Sequence, residues 1–176
     1  MEIKELEVVY SEEQIQERVK ELAEQINKDF EGEDLVVVCV LKGAFMFFSD
    51  LLKHITVKPE IDFVRCASYG NSTTSSKTVS FTKDLEISID GKHVLIVEDI
   101  VDTGHTITFL MSQLKARGAK SLKLASIVEK LERREAEVTV DYPGFVLEKG
   151  FIVGYGMDYA EKYRELKAIY EATVIE

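Results

Sequence analysis

The stretch His93–Thr106, HVLIVEDIVDTGHT, constrains the fold more than any other part of the chain. Val94, Leu95, Ile96 and Val97 form an uninterrupted apolar run, which reads as a buried strand. Glu98 and Asp99 stand where that strand is expected to end, and Asp102 follows. Thr103-Gly104-His105-Thr106 then leads into a helical pattern. Ile107, Leu110, Met111 and Leu114 form the inner face of that helix, and Gly118 closes it. A strand that ends in carboxylates and turns through small residues into a helix can hold a sugar phosphate. The first amides of the helix have no intrahelical partner and face an anion. The carboxylates can accept from sugar hydroxyls or approach a divalent cation.

The same alternation runs through the rest of the chain. Ser11 and Gln14 fit a capping box ahead of Ile15, Val19, Leu22, Ile26 and Phe30, which recur at helical spacing until Gly32. Leu35–Leu41 reads as a strand buried on both faces. Ala44–Leu52 is expected as a helix, Ile61–Ala67 and Val79–Thr82 as strands, and Ser68–Thr78 as a polar loop. Leu122–Val128 reads as a strand, Glu129–Glu137 as a solvated helix or turn, and Asp141–Gly144 as a turn. Phe151–Tyr155 is expected as a strand and Glu161–Tyr170 as a terminal helix. The whole predicts an α/β fold with a mostly parallel central sheet and helices on both faces. In such sheets ligands bind beyond the carboxyl ends of the strands. Lys42-Gly43, Glu98–Thr106, Glu129-Lys130 and Asp158 all follow expected strand ends, so they are expected to converge on one edge.

With 176 residues the chain suits one compact domain, large enough to bury about 70% of its unfolded surface without a staple. Its 22 Lys and Arg against 32 Asp and Glu give a net charge of −10, which argues against a nucleic-acid-binding protein. Cys39 and Cys66 lack CxxC spacing and read as reduced structural thiols. The N-terminal residues lack a basic segment followed by an apolar core. No run approaches the ~18 apolar residues of a membrane span. A cytoplasmic protein that binds neither nucleic acid nor membrane is expected.

Each cluster also has a plain reading. Glu98 and Asp99 could be solvated loop charges or a Walker-B-like pair, although GxxxxGK[ST] is absent. Lys42-Gly43 could be a turn, Ser68–Thr78 an ordinary loop and Lys130 a surface lysine. Phe151 could be a core aromatic. Gly154-Tyr155-Gly156 is not a dinucleotide fingerprint, because the third Gly and the following helix are missing.

Together the motifs resemble the phosphoribosyltransferases. His93–Thr106 resembles their phosphoribosyl pyrophosphate signature, and Asp102 points to the 6-oxopurine branch. The segment FIVGYGMDYAEKYR, from Phe151 to Arg164, resembles that branch's C-terminal block. The likeness covers almost the entire chain and implies a single domain over 1–176. It implies the type I fold, with a small hood and a flexible loop beginning at Ser68 and Tyr69. Glu98 and Asp99 would hold the ribose hydroxyls. Asp102, Thr103, Gly104, His105 and Thr106 would cradle the 5′-phosphate, and His105 would serve only through its amide. Asp102 would also exchange a proton near N7 of the purine. Lys42, Gly43 and Arg164 would face pyrophosphate, and the Leu41–Lys42 peptide would be cis. Lys130 would donate to the 6-oxo group, Phe151 would stack on the base and the Ile152 backbone would contact it. Asp158, with Glu98 and Asp99, would serve magnesium.

On this resemblance the expected activity is purine salvage. The 5-phosphoribosyl group passes from phosphoribosyl pyrophosphate to N9 of hypoxanthine or guanine, giving IMP or GMP, in a homodimer or homotetramer. Two rivals stand beside it: a nucleic-acid-binding sensor built on the same fold, and a transferase preferring xanthine. The chain also departs from the pattern. Glu148-Lys149-Gly150 replaces the usual Pro-Asp-Lys, and the tail LKAIYEATVIE lacks the expected Pro-Tyr-Ile.

Overall fold

The structure is a computed structural model that describes residues 2–69 and 78–175. The central sheet has six strands: β2 (Leu35–Val40), β3 (Glu60–Tyr69), β4 (Thr78–Lys83), β5 (His93–Val101), β6 (Ser121–Lys130) and β7 (Tyr142–Leu147). Their spatial order is β4-β3-β2-β5-β6-β7, and only the β3–β4 pair is antiparallel. Three helices cover it: α1 (Glu12–Asp29), α2 (Phe45–Leu52) and α3 (His105–Ala116). A second, antiparallel sheet of β1 (Glu2–Tyr10), β9 (Ile169–Ile175) and β8 (Ile152–Val153) forms the hood. Among the described residues no helix is long and apolar enough to cross a membrane.

The period-2 alternation of the central strands sends side chains to both faces. Leu35, Val37 and Cys39 of β2 and Leu95 and Val97 of β5 pack with α1 and α2. Val36, Val38 and Val40 join Val94, Ile96 and the α3 residues Ile107, Leu110 and Leu114 on the other face. In the Phe45–Phe48 run, Phe47 and Phe48 are core while Phe45 is exposed. The capping box at Ser11 is formed, with both reciprocal hydrogen bonds present.

β2 connects to β3 on one side and β5 connects to β6 on the other. The strand order therefore reverses between β2 and β5, and that reversal opens a crevice at their carboxyl ends.

Several local expectations are corrected. β5 does not end at Glu98 but runs to Val101, because Ile100 and Val101 still pair with Val128 and Glu129. For the same reason Glu129 and Lys130 lie in β6 rather than in a following turn or helix. Asp141–Gly144 is not a turn, since Tyr142–Leu147 is a strand. Proline is tolerated there because β7 is the outermost strand. Glycine is required because a Cβ at Gly144 would overlap the Ile127 carbonyl.

Glu161–Tyr170 is not a helix. Ala160, Glu161 and Tyr163 adopt positive φ values of 51°, 65° and 73°, which break any helical run. Ile169–Ile175 is instead a strand between β1 and β8, and β1 was not foreseen at all. Only Ile152–Val153 of the expected strand Phe151–Tyr155 is extended and paired. Ser68 and Tyr69 end β3, paired with Val79 and Thr78, instead of opening a loop. The remainder of the expected flexible loop, residues 70–77, lies outside the described residues.

Candidate active site

The crevice between β2 and β5 holds a cavity of about 300 Å³. β2 supplies its floor through Leu41, Lys42 and Gly43. β5 and the turn into α3 supply Glu98, Asp99 and Asp102 to Gly104, together with Thr106. The hood contributes Asp158 and Arg164. Three of the four clusters expected to converge thus line one space.

Glu98 is buried on the strand, and its Oε1 accepts from the Asp99 amide at 3.0 Å. Burial and the adjoining Asp99 charge push the Glu98 carboxyl well above the usual range. Asp99 lies against Gly43 so closely that a Cβ there would overlap its carboxylate. Gly43 is held from the other side, where a Cβ on Gly156 would overlap the Gly43 carbonyl. Two glycines thus let the hood, the β2 loop and the β5 acids pack in three layers. The Leu41–Lys42 peptide that opens the β2 loop is cis.

The turn after β5 is shaped from behind. The Thr103 carbonyl accepts from the amides of Glu135 and Ala136, both at 3.0 Å. In a trans peptide the N–H points opposite to the C=O, so the Gly104 amide is directed away from that segment. Gly104 has φ +88°, and a Cβ there would press on Val138 at 3.0 Å and Ala136 at 3.3 Å. α3 starts at the next residue, and Thr106 and Ile107 of its first turn line the same cavity.

Asp102 Oδ1 and Arg164 Nε are the two buried side-chain polar atoms without a hydrogen-bond partner among the described residues. Both residues line this cavity. A buried polar atom left unpaired is costly and marks a place where a ligand completes the bonding. The rest of Arg164 is engaged: Nη1 donates to the Gly156 carbonyl at 2.8 Å, and Nη2 lies 2.8 Å from Asp158 Oδ1. Asp158 Oδ2 accepts from the Glu161 amide. Glu161 also sits 2.6 Å from Lys42 Nζ and 3.5 Å from Arg164 Nη2, so it holds the two cations that were expected to meet pyrophosphate. The Lys42 contact lowers the Glu161 carboxyl below its ordinary range.

The other candidates stand at the margin. Lys130 is buried at the end of β6, outside the cavity lining. Phe151 is exposed at the hood edge, with its ring 5.6 Å edge-on from Tyr159. Ile152 is buried, and its backbone pairs with Glu171. The His105 side chain is exposed and bonds Glu135 at 2.6 Å. Cys66 also lines the cavity, but burial, then Glu98 and Asp84, push its thiol up to about 11, so it is not a nucleophile at neutral pH.

Among the described residues no group of three or more His, Cys, Asp or Glu side chains is arranged to hold a metal ion. Carboxylates in pairs, facing a cavity with room for substrate, suit a hard cation that takes most of its oxygens from substrate and water.

The Gly150 departure has a steric cause. Its φ is +110°, and a Cβ there would meet Glu171 Oε1 at 2.6 Å. Arg134, whose guanidinium bonds the Asp102 and Val101 carbonyls behind the turn after β5, carries no local signal because it sits in a run of surface-like charges.

Comparison with known proteins agrees with this geometry. A family described as the phosphoribosyl transferase domain matches residues 7–160. The chain is 46% identical over 162 residues to the bifunctional protein TilS/HprT of Listeria monocytogenes, covering 92% of this chain but only 25% of that protein. It is 44% identical to the hypoxanthine-guanine phosphoribosyltransferase of Bacillus subtilis, covering 92% of this chain and 90% of that one. A crystal structure of a hypoxanthine-guanine phosphoribosyltransferase from Bacillus anthracis superposes with a TM-score of 0.90 at 47% identity. The match covers 98% of this chain and 100% of that one.

Proposed function

We infer the activity from one premise: the chain belongs to the phosphoribosyltransferase family. It transfers the 5-phosphoribosyl group from phosphoribosyl pyrophosphate to N9 of hypoxanthine or guanine, giving IMP or GMP for purine salvage in the cytoplasm. The relatives named for hypoxanthine and guanine support that substrate class. The observation that carries the reading is the pair of unpartnered buried atoms, Asp102 Oδ1 and Arg164 Nε, in one cavity with the Glu98–Asp99 acids.

In this reading the turn amides at 102–106 hold the 5′-phosphate, and Glu98 and Asp99 accept from the ribose hydroxyls. Lys42, the Gly43 loop and Arg164 offset charge as the C1′–O bond breaks and its electron pair leaves on pyrophosphate. N9 bonds to C1′, and Asp102 Oδ1 accepts the proton released from the imidazole ring of the base. Lys130 offers only donors, which suits a 6-oxo group and not an exocyclic amine. Phe151 stacks on the base and the Ile152 backbone meets its edge. Asp158, Glu98 and Asp99 would hold magnesium, which would supply further charge neutralisation at the leaving group. The chain forms one domain over 1–176 and assembles as a homodimer or homotetramer.

The test offers hypoxanthine, guanine, xanthine and adenine with phosphoribosyl pyrophosphate and magnesium. IMP and GMP formation is expected, with a fall of about 100-fold or more in kcat for Asp102→Asn. Lys130→Met is expected to raise KM for the base more than KM for phosphoribosyl pyrophosphate. No product from any base would refute the assignment.

A further inference from the structure

We propose that Arg134 is the positioning residue that shapes the phosphate turn and ties it to the base-side strand. The proposal rests on reading 102–106 as the turn that holds the 5′-phosphate.

Arg134 lies in the connection between β6 and β7, with its side chain only 18% exposed. Its guanidinium donates Nε to the Asp102 carbonyl at 2.9 Å, and Nη2 to the Val101 carbonyl at 3.2 Å. Nη2 also reaches the Lys130 carbonyl and Glu129 Oε1, both at 3.2 Å, while Nη1 reaches the Val138 carbonyl at 3.3 Å. A planar guanidinium with five donors in a fixed fork can meet this many acceptors at once, and an ammonium with three cannot.

The consequence follows from peptide geometry. The carbonyls of Val101 and Asp102 are pulled back by Arg134, and that of Thr103 by the amides of Glu135 and Ala136. Each following amide, on Asp102, Thr103 and Gly104, must then point the opposite way, away from the captured carbonyls. Asp102, Thr103 and Gly104 all line the cavity. Three consecutive amides facing one way make an anion-binding concavity. Arg134 therefore favours an anion without touching it, and its own charge adds to the positive field behind the turn. Glu129 fixes the fork in orientation. The bond to the Lys130 carbonyl fastens the anchor to the end of β6, and it holds the backbone there, not the Lys130 side chain.

The experiment measures ribose 5-phosphate binding by calorimetry and steady-state kinetics on the full chain. Arg134→Lys keeps the charge but loses the fork. It is expected to weaken ribose 5-phosphate binding about tenfold or more, the scale of one lost hydrogen bond to a charged group. KM for phosphoribosyl pyrophosphate should rise in step, while KM for hypoxanthine changes less than about threefold. Unchanged ribose 5-phosphate binding in folded Arg134→Lys overturns the proposal. Should that variant not fold, Glu129→Gln carries the test: a loss of severalfold supports the brace, and wild-type binding overturns it. If the wild type binds ribose 5-phosphate in an Arg134-dependent way yet makes no nucleotide, the purine reading fails and this inference stands. No binding of ribose 5-phosphate by the wild type defeats both.

Discussion

Gly43→Ala tests the layered packing of the site most directly. A Cβ at residue 43 would overlap one Asp99 oxygen and stand 2.5 Å from its carboxyl carbon and 3.2 Å from the other oxygen. Contacts under 3.0 Å are not sustained by real Cβ atoms, so something must move. The β2 loop has little room to retreat, because Gly156 of the hood lies so near that a Cβ on it would stand 2.0 Å from the Gly43 carbonyl oxygen. The Asp99 backbone sits in β5, and its Oδ1 already accepts from the Ile100 amide at 2.8 Å. The carboxylate must therefore rotate by about 1 Å or more, the scale at which positioning fails in an active site. On the proposed role of Asp99, losing a hydrogen bond to a ribose hydroxyl would remove about 1.5–3 kcal/mol, or roughly 10- to 150-fold in kcat/KM for phosphoribosyl pyrophosphate.

The assay is steady-state kinetics with hypoxanthine saturating, on Gly43→Ala, Asp99→Ala and the double variant. Asp99→Ala removes the obstructing carboxylate, so the double variant should be little worse than Asp99→Ala alone. Gly43→Ala within threefold of wild type, or losses that simply multiply in the double variant, would refute the packing argument.

Three further outcomes are expected. Asp62 is buried on β3 and accepts from the amides of Phe63, Glu86 and Ile87 at 2.7, 2.7 and 3.0 Å. Burial raises its pKa, but those donors together hold it below the ordinary value. Its stabilisation is therefore full above the unfolded pKa of about 3.9 and is lost as pH falls through the lower folded value. Asp62→Asn should be less stable at pH 7, and its stability should fall less between pH 5 and the acid limit in urea titrations; parallel pH curves would contradict this. Gly150→Lys should cost about 1–2 kcal/mol because of the positive φ and the contact with Glu171. That lowers the thermal midpoint by about 2–8 °C, and no change would show that the turn relaxes. Glu161→Gln frees Lys42 and Arg164, so pyrophosphate should inhibit at concentrations lower by about two- to fivefold at low salt. The gain is small because the pair is exposed; weaker inhibition would show that Glu161 orients the cations instead of competing for them.

What the sequence revealed and what it hid follow one physical division. The apolar runs at Leu35–Leu41 and Val94–Val97 announce central strands, because burial on both faces leaves no other residue type acceptable. The acids and glycines beside them are legible because carboxylates at a buried strand and a glycine turn have few structural uses. The hood was illegible for the opposite reason. β1 and β9 pair with each other across almost the full chain, so the partner that each strand needs is not local, and in β1 four charged residues interrupt the apolar pattern. The turn at 158–164 depends on positive φ at Ala160, Glu161 and Tyr163, residue types that give no warning of it. Arg134 belongs to the same class. In the run Glu129-Lys130-Leu131-Glu132-Arg133-Arg134-Glu135 it looks like its neighbour Arg133. Arg133 is 65% exposed, 3.6 Å from Asp102 Oδ2, whereas Arg134 reaches four carbonyls and a carboxylate. What separates them is which side of the chain meets the back of the phosphate turn, and that is decided by β5 and β6 lying side by side. Residues that touch a ligand leave a trace in local sequence because their chemistry is constrained. A residue that aims the backbone of others leaves none, and only the assembled sheet brings it into view.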